Sequence, residues 1–177
     1  MIVAVKPEPS EKRSIIRFSC SLPRVPRKIV DLSRPKFEVE SFKSGSDESR
    51  FIKLNNTIFV GHPDQGDWNM DRLLSKMSEP WFRADQLFFM VQGGVDIGLL
   101  WLKEHKLIDR RVCEIYVIGI HPQYQGKSIG KAVMELALNQ MSADGFAEAW
   151  VYTDRSNEKA IGLYRSLAFD TDLIEEV

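Results

Sequence analysis

A turn between a predicted strand and a predicted helix holds the residues best suited to bind an anion. Residues 125–131 read QGKSIGK, with Gly126 and Gly130 at the point where the chain enters the helix. The first amides of a helix have no carbonyl partner within it, and the helix dipole places positive charge there. Lys127 and Lys131 add two cations. These features predict a phosphate-binding turn, although a plain strand-to-helix connection would have the same outline.

A second polar group opens the next predicted helix. Asn157 or Ser156 can cap this helix, and Ala160 and Tyr164 follow on one helical stripe. The phenol of Tyr164 is a candidate proton donor, whereas a tyrosine on an apolar stripe is also a common core residue. The helix becomes a candidate site because only one predicted strand separates it from the 125–131 turn.

The cysteines and histidines do not predict a metal site. Cys20 and Cys113 stand far apart, without the paired spacing of zinc ligands or a disulfide framework. Neither His105 nor His121 has a second ligand four residues away on a helix, so we expect both at the surface. His62 belongs to the HPDQG sequence at residues 62–66 and is expected to shape a loop. We therefore predict no metal.

Composition and charge indicate one soluble domain with a small ligand. The 177 residues are 44% hydrophobic and 28% charged, as in ordinary globular proteins. A net charge of -1 and a pI near 6.3 give no field that would recruit nucleic acid or a membrane surface. The apolar start is too short for a signal peptide, and no apolar run reaches the roughly 18 residues of a membrane span. We predict a cytoplasmic monomer or homodimer.

The first 36 residues differ in composition from the rest. Five of the eight prolines fall there, together with nine lysines and arginines against three acidic residues. Proline fixes φ and removes a backbone donor, so long regular elements are disfavoured. We predict a proline-rich basic arm over residues 1–36, with one strand around residues 15–20, followed by a domain over residues 37–177. The arm either attracts an anionic partner or is a solvated extension.

From residue 37 onward the apolar pattern alternates between strand and helix periods. Gly93 and Gly94 separate two apolar runs and predict a tight hairpin, because glycine tolerates the positive φ of such turns. The expected order is strand, two helices, hairpin, strand, helix, strand, helix and strand. The expected bounds are 37–41, 49–59, 70–77, 87–92, 95–103, 112–120, 131–143, 149–153, 157–167 and 172–177. This order predicts an α/β fold with helices on both faces of a mixed sheet of about six or seven strands.

The QGKSIG sequence at residues 125–130 resembles the acetyl-CoA loop of the GNAT acetyltransferases, whose pattern is Q/R-x-x-G-x-G/A. Two residues depart from the family pattern. Ser128 replaces the middle glycine, and Ala168 replaces the glycine before Phe169 in the LY..LGF helix end. A positive φ at Ser128 would cost about 1 kcal/mol. We expect Ser128 to be helical instead, because its amide is then kept without strain.

The resemblance implies the GNAT acyl-CoA N-acyltransferase fold, with acetyl-CoA as co-substrate and no metal. The implied coenzyme contacts are Val117, Ile118, Gly119, Ile120, Gln125, Gly126, Lys127, Ser128, Ile129, Gly130, Lys131, Asn157 and Ala160. Amides of residues 116–120, splayed near Gly119, would hold the pantetheine and polarise the acetyl oxygen. Glu114 matches the family's general base, and Tyr164 matches the acid that protonates the departing thiolate.

Three longer motifs resemble the C-terminal half of the mycothiol synthase family. They are NNTIFVGHPDQGDW at residues 55–68, EPWF at residues 79–82 and EIYVIGIHP at residues 114–122. The resemblance covers roughly residue 37 to the end. That family looks like two tandem acetyltransferase domains, of which one is present here. The matching acceptor contacts are Asp64, Lys103, Glu114 and Tyr152, whose side chains suit a polar amine.

The predicted activity is direct transfer of an acetyl group from acetyl-CoA to a primary amine, without a covalent enzyme intermediate. The mycothiol synthase resemblance favours a cysteinyl amine as the small-molecule acceptor. Two alternatives stay open. One is another small amine or a protein N-terminus as acceptor, and the other is a non-catalytic CoA-binding domain, suggested by the two replaced glycines.

Overall fold

The computed structural model describes residues 14–23, 37–62 and 64–176, which form one mixed sheet with helices on its faces. The strands are β1 (Ser14–Ser21), β2 (Glu38–Ser41), β3 (Leu87–Gln92), β4 (Val95–Lys106), β5 (Arg111–Ile120), β6 (Glu148–Asp154) and β7 (Asp170–Glu176). Their order is β2-β3-β4-β5-β6-β1-β7. β5 and β6 are parallel, and the other neighbouring pairs are antiparallel. The predicted fold class is confirmed.

The described residues include four α-helices, which pack in two core clusters, one on each face of the sheet. They are α1 (Glu48–Ile58), α2 (Met70–Met77), α3 (Ile129–Ala143) and α4 (Glu158–Ser166). Buried side chains of α1 and α2 pack with Leu99 and Trp101 of β4. Those of α3 and α4 pack with Phe18 of β1 and with the opposite face of β5. No helix in the described ranges is long and apolar enough to cross a membrane.

The element bounds follow the predictions closely. α2 has the predicted bounds, and α3 begins at Ile129 rather than at residue 131. Gly93 and Gly94 have φ of 57° and 78°, as the predicted hairpin between β3 and β4 requires. β4 continues beyond residue 103, because its pairing with β5 extends to Lys106 opposite Arg111.

The N-terminal strand lies inside the sheet rather than beside it. β1 pairs with β6 on one side and with β7 on the other. Phe18 at its centre is fully buried, with its ring centroid 5.6 Å from that of Tyr164. The strand predicted around residues 15–20 is therefore confirmed, but the assignment of residues 14–22 to an arm outside the domain is wrong. Residues 1–13 and 24–36 of the expected arm lie outside the described residues.

Candidate active site

The 125–131 turn joins β5 to α3 through two residues in the left-handed region. Gly126 has a φ of 77°, and Ser128 has a φ of 60° and a ψ of 10°. The expectation that Ser128 is helical is wrong, because α3 begins at Ile129 and Ser128 is its N-cap residue. The first α-helical hydrogen bond runs from Ala132 N to Ser128 O at 3.1 Å. Left-handed and ordinary conformations that alternate in this way gather backbone amides into an anion-binding nest.

A cavity of about 470 Å³ adjoins this turn. Seven of the predicted coenzyme contacts line it, namely Ile120, Gln125, Gly126, Ser128, Ile129, Gly130 and Lys131. Gln125 is held in place, since its Nε2 donates to Ile120 O at 2.9 Å. Tyr124, Lys159 and Leu163 also line the cavity and were not predicted. Lys159 could have been predicted from the sequence, because it lies in the first turn of the helix capped by Asn157.

Three other predicted coenzyme residues do not line this cavity, although each lies within two residues in sequence of one that does. Asn157 caps α4, because its Oδ1 accepts from Ala160 N at 3.2 Å. Ala160 is fully buried and lets α4 pack tightly against the core. The ammonium of Lys127 lies 5.0 Å from the ring centroid of Tyr124, in cation–π contact.

β5 and β6 separate beyond residue 115. Residues 112–115 of β5 pair with residues 148–151 of β6, and β6 then continues along β1 to Asp154. β5 continues along β4 to Ile120, with a register shift that leaves Tyr116 as an extra residue. The separation therefore begins at Tyr116, three residues before Gly119, near which the splay was predicted. Val117 and Ile118, both fully buried, anchor this part of β5 in the two core clusters.

Gly119 has a packing role instead. A Cβ at Gly119 would lie 2.5 Å from Cγ2 of Ile58 and 2.7 Å from the ring of Phe59. The end of α1 therefore approaches the β5 backbone at a position where no other residue fits. This contact fixes the part of β5 whose edge faces the opening towards β6.

Glu114 lies on β5 in the last paired stretch before the opening. The residue is only 2% exposed, and its Oε2 lies 2.6 Å from Nε2 of His105 on β4. The expectation that His105 is an isolated surface histidine is wrong. The alternation of side chains along β4 indicates this contact, because Lys103 stands opposite Glu114 and His105 projects from the same face of β4 as Lys103.

Lys103 lies on the same face, among aromatic rings. Its ammonium is 4.8 Å from the ring centroid of Trp81 and 5.5 Å from that of Tyr116. Tyr116 and Trp81 contact each other with centroids 5.0 Å apart, and both pack on Trp101. The extra residue in β5 thus contributes its ring to an aromatic cluster of Trp81, Trp101 and Tyr116 beside Lys103.

Tyr152 and Trp150 continue this face on β6. Arg17 of β1 donates to both carboxylate oxygens of Asp172 on β7, at 2.8 and 3.1 Å. Its guanidinium lies 4.3 Å from the ring centroid of Trp150. Hydrogen bonds with Asp172 and then Tyr152 raise the pKa of Arg17, so this cation is permanent. The indole nitrogen of Trp150 is buried and has no hydrogen-bond partner among the described residues.

Asp64 lies in the loop between α1 and α2. The residue is 5% exposed, and its carbonyl accepts from Nη2 of Arg72 at 2.8 Å and from Nε1 of Trp68 at 3.4 Å. Its amide donates to Nδ1 of His62 at 3.2 Å, which agrees with a loop-shaping role for that histidine. Trp68 packs on Trp101 with centroids 6.0 Å apart, so the loop adjoins the aromatic cluster.

Tyr164 lies in the core cluster formed by α3 and α4. It is fully buried against Phe18 and Phe169, whose ring centroids are 5.6 and 6.1 Å from its own. Burial raises the pKa of its phenol above the ordinary value. The side chain is therefore neutral at physiological pH and can act only as a proton donor.

The described residues contain no group of three or more His, Cys, Asp or Glu side chains placed to hold a metal ion. Cys20 and Cys113 are buried, and neither forms a disulfide bond within the described residues. Burial raises the pKa of Cys113 to about 12, so it is neutral at physiological pH. This thiol is therefore a packing residue rather than a nucleophile.

Comparison with known proteins gives a consistent result. A family model described as the acetyltransferase (GNAT) family matches residues 49–169. A mycothiol acetyltransferase of Thermomonospora curvata is 34% identical over 131 residues, which cover 74% of this chain and 43% of that protein. The chain spans about half the length of the curated relatives it matches.

Solved structures share the fold at low sequence identity. A GCN5-related N-acetyltransferase from Sphaerobacter thermophilus superposes with a TM-score of 0.72 at 17% identity, covering 93% of this chain and 50% of that one. Arabidopsis thaliana Naa50, in complex with a bisubstrate analogue that contains CoA, gives a TM-score of 0.60 at 17% identity. That match covers 76% of this chain and 83% of Naa50.

Proposed function

The chain belongs to the GNAT acetyltransferase family, and we propose that it binds acetyl-CoA and transfers the acetyl group directly to a primary amine. The observation that carries this proposal is the 125–131 turn, where left-handed Gly126 and Ser128 precede the N-terminus of a 15-residue helix. Such a turn suits a diphosphate, and Lys131 and Lys159 line the adjoining cavity. The CoA-containing ligand of Naa50 supports the same assignment.

Glu114 is the proposed general base. An amine is protonated at neutral pH and cannot attack a carbonyl until it loses a proton. The carboxylate of Glu114 stands where β5 and β6 begin to separate, beside the edge proposed to hold the thioester. The amine then forms the new C–N bond as the C–S bond breaks. The nitrogen loses two protons overall and the thiolate gains one, so one proton passes to solvent.

Tyr164 is the proposed donor of the thiolate's proton. A phenol is protonated at neutral pH, as donation requires, and burial raises the pKa of Tyr164 further. The side chain is fully buried, so it would approach the sulfur from the α3 and α4 side of the sheet. Amides of residues 116–120, which lie beyond the last pair between β5 and β6, would polarise the acetyl oxygen.

We propose a cysteinyl amine attached to a polar, sugar-like group as the acceptor. The relatives named mycothiol acetyltransferase support this choice. Lys103 and Tyr152 supply polar groups on the Glu114 face, and Asp64 lies in the loop beside it. Trp150 offers a buried N–H that a bound acceptor can satisfy. The domain proposed for this activity comprises residues 37–177 together with β1.

A non-catalytic CoA-binding domain is the second candidate, because Ser128 and Ala168 replace family glycines. Both residues have a φ of 60°, so the backbone keeps the glycine-like conformation at each position. The replacement therefore costs stability without removing the amides that would bind the diphosphate. Only the presence or absence of turnover separates this candidate from an enzyme.

Chromatographic measurement of CoA formed from acetyl-CoA tests the proposal. The acceptors are a cysteinyl glucosamine, glucosamine and a peptide with an N-terminal alanine. We expect CoA formation with at least one amine and a decrease in kcat of about 100-fold or more in Glu114→Gln. The control is Glu104→Gln on the opposite face of β4, where Glu104 pairs with Arg111. Binding of acetyl-CoA without CoA formation from any amine would contradict the enzymatic proposal.

A further inference from the structure

The contact between His105 and Glu114 joins two strands at the opening of the sheet. His105 stands opposite Val112 in the register, and Lys103 stands opposite Glu114. His105 therefore reaches Glu114 diagonally, and Nε2 and Oε2 are 2.6 Å apart. The Glu114 side chain is 3% exposed, whereas that of His105 is 26% exposed. The imidazole is thus the more exposed partner of a contact whose carboxylate is buried.

From this geometry we propose that His105 is a positioning residue for the general base. This inference rests on the proposed function. A general base acts in its carboxylate form, which only accepts hydrogen bonds, so this proposal assigns the proton of the contact to Nε2 of His105. The bond occupies Oε2 of Glu114 and leaves Oε1 to take the proton of the acceptor amine. A hydrogen bond to the charged form also stabilises a carboxylate that has little contact with water.

The surroundings of His105 fix the ring and define the charges around it. Its centroid lies 5.3 Å from the ring of Trp150 on β6, whose indole also contacts Arg17 of β1. Lys103 projects from the same face of β4, and Glu114 projects from β5. The tilted contact with Trp150 suggests a purely structural alternative, in which His105 serves only as a packed ring.

Two substitutions separate the hydrogen bond from the ring. His105→Gln keeps an N–H donor near the place of Nε2 and loses the ring, whereas His105→Phe keeps a ring on Trp150 and loses the donor. We expect kcat to decrease about 10- to 100-fold in His105→Phe, because a poorly positioned base removes the proton less efficiently. In His105→Gln the decrease should be less than about threefold. The KM for acetyl-CoA should stay unchanged in both variants.

The pH profile gives a readout that packing alone would not change. Without the donor the carboxylate holds its proton to higher pH, and the base is inactive when protonated. We therefore expect the acidic limb of kcat/KM in His105→Phe to move to higher pH, with a smaller movement in His105→Gln. Glu104→Gln, adjacent on β4 but on the opposite face, should keep the wild-type profile.

The outcomes distinguish the two proposals. Absence of CoA formation by the wild-type protein with every amine would overturn both the proposed function and this inference. An active wild type with His105→Phe equal to wild type, or more active than His105→Gln, would overturn the inference alone. A kcat that decreases from wild type to His105→Gln and again to His105→Phe, together with the shifted acidic limb of kcat/KM, would support the inference.

Discussion

At the scale of single residues, Ser128 and Ala168 show how a backbone conformation survives the loss of glycine. Both have a φ of 60°, in a region that costs residues with a Cβ about 1 kcal/mol or more. Ala168 follows α4, where Phe169 N donates to Tyr164 O at 3.0 Å and the Phe169 ring is buried. Packing of the neighbouring residues thus imposes the conformation. Sequence alone could not predict the left-handed conformation of Ser128, because that conformation depends on the residue at which α3 begins.

Ala168→Gly should stabilise the protein by about 1 kcal/mol, because glycine reaches positive φ without steric cost. The free energy of unfolding in urea is the measurement. Gly162→Ala in α4, the reverse exchange at a helical position, is the control. It should also stabilise the protein, because a Cβ there meets nothing within 4 Å and alanine favours a helix over glycine by about 1 kcal/mol. Destabilisation by Ala168→Gly would contradict the left-handed assignment.

At the scale of elements, the sheet combines local and distant pairings, and only the local ones could be predicted. The hairpin of β3 and β4 follows from adjacent apolar runs joined by Gly93 and Gly94. β1 was recognisable as a strand, but alternation in a strand does not identify its partners. Its neighbours β6 and β7 come from the other end of the chain. The prediction from proline and basic content therefore wrongly assigned residues 14–22 to an arm outside the domain.

Phe18→Ala should decrease the free energy of unfolding by about 3–5 kcal/mol, because it leaves a cavity beneath α4 next to Tyr164. Chemical denaturation followed by tryptophan fluorescence measures this loss. Ile174→Ala on the neighbouring strand β7 is the control, since Ile174 is 53% exposed and should cost less than about 1 kcal/mol. Equal small losses in both variants would show that β1 is not part of the core.

At the scale of the whole molecule, one strand connects the two parts of the candidate site. Glu114 stands near the start of β5, and Ile120 at its end adjoins the 125–131 turn. Six residues of strand span about 20 Å, so a ligand bound at the turn needs a long arm to place its reactive group beside Glu114. The turn was predictable because its residues are contiguous. The contact of His105 with Glu114 was not, since it depends on the register of β4 against β5.

Calorimetric titration of the folded protein with acetyl-CoA tests the central claim most directly. N,S-diacetylcysteamine, a short thioester without the diphosphate, serves as the comparison. We predict saturable binding of one acetyl-CoA per chain and no saturation by the short thioester at the same concentration, because the 125–131 turn holds the diphosphate. No saturable heat with millimolar acetyl-CoA, or equal binding of the two thioesters, would contradict the account.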